Sequence, residues 1–326
     1  MSAPVWLLLG RNAGDNAQVR ALGAMAGGEA KEFTLSHNLL REAPAAWLGG
    51  SLASLRERPD FGTPWPALVI GAGRRNAPAA RWIAEQSGAR LVWLGRPRAP
   101  LDWFALVLAT PQYGVPAAPN VLPLTLPLTA ETERVAPQRM LALLGGPSWS
   151  ARITPDYLLR FAKAAAELAE VTRAPLSLAT SPRSPAGAAA EMRRLLPGAE
   201  IHEWRKGGEN PYRRWLSEAR EILVSGDSVS LLADAAATGA PVSLLPAPEP
   251  GWMRAVRATR PGRRWLSGAG AHGLAAPPPD LAGLHTELRV RGWAERRGAL
   301  LRLEGAAARM AAERAEAAAR LAALPG

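Results

Sequence analysis

The chain contains no cysteine. Disulfides and thiolate metal sites are therefore excluded, and a reducing compartment fits; the expected location is cytoplasmic, with room for peripheral contact at the inner membrane. No apolar run approaches the roughly 18 residues that span a bilayer. The opening MSAPVWLLLG has no basic leader before its apolar residues, so it reads as a first strand rather than a signal peptide. Lysine is nearly missing: of 39 basic residues, all but Lys31, Lys163 and Lys206 are arginine. There is no Asp-x-Asp pair, the usual metal clamp for a diphosphate. His37, His202, His272 and His285 lack metal-ligand spacing, so neither a metal nor a cofactor is expected. A helix-turn-helix, a zinc module and an aromatic-lined basic strand are all lacking, which argues against nucleic acid.

What is present is a chain of 326 residues, 48% of them hydrophobic, with a net charge of +11. That length favours two domains. The charge favours anionic partners, although the abundance of Arg, Ala, Gly and Pro also follows from a GC-rich genome. The most informative stretch is EILVSGDSVSLLADAAATGAPVSLLP, residues 221–246. Ile222, Leu223 and Val224 form an apolar strand. Gly226 breaks it, and either Asp227 or Ser228 is placed to cap the next helix. Leu231, Leu232, Ala235 and Ala236 share a helical face, which Gly239 and Pro241 end. The result is a strand–loop–helix–strand unit whose loop suits a phosphate or a sugar.

The same alternation runs along the whole chain. Strands are expected at 5–9, 30–35, 67–70, 90–94, 104–109 and 121–124, with helices at 16–25 and 77–86, the latter capped by Asn76. Residues 126–139 read as a linker. The pattern then restarts, with strands at 140–144, 176–179, 200–204, 222–225 and 242–245 and helices at 154–171, 186–196 and 211–219. Residues 247–279 read as mostly loop, 281–293 as helix and 300–324 as a terminal helix. This α/β alternation implies parallel sheets. The expected organisation is a Rossmann-like domain over 1–135, a second over 136–295 facing it across a cleft, and a C-terminal helix over 296–326.

In open parallel sheets ligands bind at the C-terminal ends of the strands, and the polar and glycine motifs collect there. Gly145 and Gly146 permit close backbone approach to a diphosphate, or make only a tight turn. Ser181 and Arg183 follow a strand, where the guanidinium suits phosphate. Asn210 and Tyr212 either open a helix or read a base or ribose. Gly226, Asp227, Ser228 and Ser230 complete the second set. In the first array the candidates are Asp15, Asn16, Gln18, Arg74, Arg75, Arg96, Arg98, Gln112 and Tyr113. Gly71 and Gly73 look like part of a dinucleotide fingerprint. Position 76 is Asn, however, and Arg96 and Arg98 stand where an acid is needed, so a nicotinamide is not expected.

The segment Ser225–Ser230 followed by Ala233, Asp234 and Ala235 resembles the TGDSVSM-SEA stretch of the mitochondrial fission ELM-type family, which has bacterial and plant members. Further matches lie in order at 14–18, 71–75, 94–98, 110–114, 145–147, 181–183 and 210–212, and the resemblance covers roughly residues 5–295. It implies a glycosyltransferase-like protein. The reading that follows is a transferase using a nucleoside-diphosphate sugar. Its donor sits on the second domain, and its anionic or lipid-linked cell-envelope acceptor on the first. Asp15 is the candidate general base, with a helix cap as its plainer role. A nucleotide-sugar epimerase of the same fold, and a non-catalytic membrane-associated scaffold, are the alternatives.

Overall fold

The computed structural model describes residues 4–130, 132–266 and 277–324. The chain divides into two compact units: Met1–Leu128 with Pro261–Pro278 and Ala312–Gly326, and Thr129–Arg260 with Pro279–Ala311. Both are Rossmann-like.

The first unit runs β1 (Val5–Leu9), α1 (Ala13–Ala26), β2 (Ala30–Thr34), α2 (Ala45–Leu48), β3 (Leu68–Ala72), α3 (Ala77–Ser87), β4 (Arg90–Leu94), β5 (Leu106–Ala109) and β6 (Val121–Pro123). Its six strands are parallel in the order β2-β1-β3-β4-β5-β6. The inner strands β1, β3, β4 and β5 are mostly apolar because both faces are covered, whereas edge strand β2 buries only Phe33. From β1, Trp6 and Leu8 enter one core with Phe33, Val69 and Trp93, while Val5, Leu7 and Leu9 enter the other with Leu22, Ile70 and Val92. Gly71 packs closely under Trp93: a Cβ on it would lie 2.6 Å from the ring.

The second unit runs β7 (Arg139–Leu144), α4 (Pro155–Thr172), β8 (Leu176–Thr180), α5 (Ala188–Leu195), β9 (Glu200–His202), α6 (Tyr212–Ser217), β10 (Ala219–Ser225), α7 (Val229–Ala237), β11 (Val242–Leu245), α8 (Gly251–Ala258), α9 (Arg260–Leu266, passing into the first unit), α10 (Leu281–Val290), β12 (Ala294–Arg297), β13 (Leu300–Leu303) and α11 (Ala306–Ala322, passing into the first unit at Ala312). The sheet order is β12-β13-β11-β10-β7-β8-β9. Strands β7–β11 are parallel, and the β12–β13 hairpin adds an antiparallel edge.

Several expectations are corrected. Residues 126–139 are not all linker, because Leu126 and Leu128 are buried. Residues 247–266 carry α8 and α9 rather than loop; positions 267–276 of that segment lie outside the described residues. Residues 300–303 are strand, not helix, because Leu301 and Leu303 alternate onto the buried face beside β11. The chain then returns to the first unit, where Ala317 and Leu321 of α11 join the core of Leu22 and Leu122. The segment 296–326 is therefore not a separate domain: 296–311 belong to the second unit and 312–326 to the first.

Candidate functional site

Each sheet has one switch point, where successive crossovers leave a central strand in opposite directions and open a crevice at the strand ends. In the second unit it lies between β7 and β10. The loops after these strands are bonded to each other. The Gly145 N–H donates to Ser225 Oγ at 2.7 Å, the Ser225 hydroxyl to Asp227 Oδ1 at 2.6 Å, and the Gly146 N–H to Asp227 Oδ2 at 2.8 Å. Arg183 reaches in from the β8 loop, 3.3 Å from both Asp227 Oδ2 and the Gly146 carbonyl. Burial raises the pKa of Asp227, against the opposing hydrogen bond from Ser225 and the charge of Arg183. The glycines serve these close contacts: a Cβ on Gly146 would lie 1.7 Å from the Arg183 carbonyl oxygen, and one on Gly226 2.7 Å from that of Leu245.

Side chains cap α4, α7 and α10 of this unit, but not α5, α6 or α8. Thr154 Oγ1 accepts from the Tyr157 N–H at 3.1 Å and Ser228, not Asp227, caps α7 through the Leu231 N–H. Tyr157 Oη accepts from the Gly226 N–H at 3.1 Å and donates to the Leu245 carbonyl at 2.7 Å. Ser181 Oγ accepts from the Arg183 N–H at 3.3 Å. Ser230 is half-buried in the first turn of α7. Asn210 and Tyr212 do not join the cluster. The Asn210 side chain accepts from the Tyr212 N–H, and the Tyr212 hydroxyl donates to Asp234 at 2.7 Å.

Beside Arg183 lies a hollow of about 640 Å³, lined by Ser148, Trp149, Arg152, Arg183, Pro250 and Trp252, among others. Trp149 and Trp252 are 77% and 42% exposed. Sequence reasoning missed both. Two large aromatics near strand-end loops were the available signal, but nothing local says that they share a hollow.

In the first unit the switch point lies between β1 and β3. A hollow of about 660 Å³ opens there, lined by the ends of β1, β2 and β3 with Arg11, Asp15, His37, Arg41, Arg56, Arg74 and Arg75 among its residues. Asn16 clamps the loop after β1, its amide accepting from the Gly10 N–H at 2.8 Å and donating to the Gly10 carbonyl at 2.9 Å. Asn76 does not cap α3: its amide turns inward to the Leu8 carbonyl. Gln18 bonds weakly to the Gly14 carbonyl of its own helix. Asp15 accepts from Asn12 at 3.0 Å, and burial raises its pKa. Glu42 pairs with Arg41, Arg74 and Arg75. His37 Nε2 lies 3.1 Å from the Arg75 carbonyl, and desolvation lowers its pKa.

Arg96 and Arg98 follow β4, the neighbour of β3. Burial and the charge of Arg98 bring Arg96 down to about 10, and burial together with Arg74 lowers Arg98. Arg98 is therefore within electrostatic reach of both Arg96 and Arg74, and Arg74 shares Glu42 with Arg75. Arg96 donates to the Pro277 carbonyl at 3.1 Å, while its Nε and Nη2 are buried without a partner among the described residues. Gln112 is buried, and its Oε1 lacks a partner likewise. Tyr113 is pushed up by burial and by Asp15. No described helix is long and apolar enough to cross a membrane, and the described residues contain no group of three or more His, Asp or Glu placed to hold a metal ion.

A family model described as Mitochondrial fission ELM1 matches residues 13–260. No curated protein matches the chain. Among solved structures, Anabaena Alr3699/HepE in complex with UDP and glucose shares 9% identity over 89% of this chain and 99% of that one, with a TM-score of 0.42. AviGT4, a glycosyltransferase involved in avilamycin A biosynthesis, shares 16% over 98% of each chain, with a TM-score of 0.42. The Methanocaldococcus jannaschii UDP-GlcNAc 2-epimerase, in complex with UDP-GlcNAc and UDP, shares 12% over 89% and 99%, with a TM-score of 0.39. These likenesses are too loose to carry residues or chemistry across.

Proposed function

The chain belongs to the mitochondrial fission ELM1 family, and on that premise we propose that it is a sugar-nucleotide-dependent glycosyltransferase of the GT-B kind. The observation that carries the reading is the hollow beside the β7–β10 switch point, where Arg183 and Arg152 stand with Trp149 and Trp252. A nucleoside diphosphate needs both an aromatic face for its base and a guanidinium for its phosphates. In this reading the base stacks on Trp149 or Trp252, and Arg183 stabilises the diphosphate as it departs, without a metal. The first unit holds the acceptor, a cell-envelope glycan or a lipid-linked group. Asp15 takes the proton from its hydroxyl. Burial raises the pKa of Asp15, which makes it a stronger base than an exposed carboxylate.

Thermal-shift measurements with UDP-, GDP-, CMP- and dTDP-sugars test the donor half. A ligand at a hundredfold excess over its Kd adds about 2.7 kcal/mol to native stability. One of the four is expected to raise Tm, and Arg183→Gln or Trp149→Ala to abolish the rise. A chain that responds to none of them does not bind a sugar nucleotide. Asp15→Asn should retain the shift and lose about 10²-fold or more in turnover. Consumption of the sugar nucleotide without any acceptor would move the assignment to an epimerase, and vesicle binding indifferent to nucleotides would favour a scaffold.

A further inference from the structure

The hollow of the first unit has an electrostatic character that the second lacks. Arg11, Arg41, Arg56, Arg74 and Arg75 line it, and Asp15 is the one carboxylate of the lining. Glu42 beside it is shared by Arg41, Arg74 and Arg75. Arg11 and Arg56 are exposed and have no ionic or hydrogen-bonding partner among the described residues. Arg75 Nε is buried and also unpartnered. Like charges held this close repel one another, and two carboxylates do not neutralise five guanidinium groups.

The backbone adds to this. Helices α1 and α3 both begin at the hollow, and neither has a side-chain cap, because Asn12 turns to Asp15 and Asn76 to Leu8. The first N–H groups of α1 have no side-chain acceptor, though Asp15 in its first turn sets a negative charge against the helix dipole; in α3, Pro78 supplies no N–H. In the second unit Thr154 and Ser228 cap α4 and α7, and Ser225 and Asp227 take up the N–H groups of Gly145 and Gly146, whereas α5, α6 and α8 have no side-chain cap.

We infer that the hollow at the β1–β3 switch point is a binding site for a phosphate or diphosphate group, held by Arg11, Arg56, Arg74 and Arg75 at the start of α1. Assigning that phosphate to the acceptor rests on the transferase reading above; the anion site itself does not. Asp15 works against the anion electrostatically and stands where a hydroxyl beside the phosphate is deprotonated.

The test is titration of the full-length protein with inorganic pyrophosphate, followed by calorimetry. Binding is expected, weakening as salt rises. Arg11→Gln with Arg56→Gln removes two exposed, partnerless side chains, so folding should be intact, and affinity should fall about tenfold for each arginine lost. Asp15→Asn should tighten binding, which no purely structural role for Asp15 would produce. Pyrophosphate also suits the hollow beside Arg183, so these titrations are made in the Arg183→Gln background, where binding at the first hollow should persist. Unchanged affinity in the double variant, weaker binding in Asp15→Asn or loss in Arg183→Gln would overturn the site. The source of the phosphate is read by comparing a soluble sugar phosphate with neutral phosphatidylcholine vesicles carrying a polyprenyl phosphate. Whichever binds must lose affinity in the double variant. A sugar-nucleotide shift that survives in the double variant leaves the donor reading standing whatever happens here.

Discussion

His285 shows how burial turns a single side chain into a pH sensor for stability. It sits in α10, and desolvation brings it down to about 4 from an ordinary 6.5, against the attraction of Asp280. The unfolded chain therefore binds a proton that the folded chain refuses between those two values. Stability contributed by neutral His285 is complete above about 6.5 and is lost as pH falls toward 4. Urea midpoints measured across that window should drop with acid, and His285→Asn should flatten the slope. Asp227 carries the opposite sign, since burial raises its pKa and its protonated form favours the folded state, so the comparison with the variant is what isolates His285. An identical slope in both proteins would mean that His285 is hydrated in the folded state.

Helix α4 illustrates how far local signals reach. Thr154-Pro155-Asp156 announced its start, and Thr154 Oγ1 does accept from the Tyr157 N–H. Thr154→Ala should cost about 1 kcal/mol, read as a lower urea midpoint at unchanged m-value; a neutral result would show that water replaces the cap. The same helix supplies Tyr157, whose hydroxyl holds the Gly226 loop from a distance of 69 residues along the chain. No periodicity in the sequence points to that bond. Strand β13 failed for a related reason. The composition around Leu300 favours helix, yet β11 offers an unpaired edge, and the hairpin turning at Gly298, with its φ of 60°, satisfies it.

For the molecule entire, the return of the chain to the first unit matters most. Ala317 and Leu321 lie in that unit's core, and Glu313 accepts from the N–H and the hydroxyl of Thr125 at 2.9 and 2.7 Å. Removing residues 312–326 exposes apolar surface on the first unit, with a penalty of about 2 kcal/mol for each large side chain uncovered. Truncated protein should show an earlier first transition in calorimetry and bind a hydrophobic dye. A melting profile identical to that of the full chain would mean that α11 is an appendage.

The amino-acid sequence determined the two βα arrays, because buried parallel strands announce themselves as apolar runs and turns as Gly, Pro and Ser. It also marked the strand-end loops, including Gly145, Arg183, Asp227 and the arginine pairs at 74–75 and 96–98. Only tertiary structure decided what those loops do. Whether an N–H is free for a ligand depends on which distant side chain reaches it, as Asp227 reaches Gly146 and nothing caps α1. Arg41 and Arg56 join the first hollow and Trp149 and Trp252 the second through contacts between loops remote in the chain, such as the Arg56 N–H on the Ser36 carbonyl and the Arg152 N–H on that of Pro248.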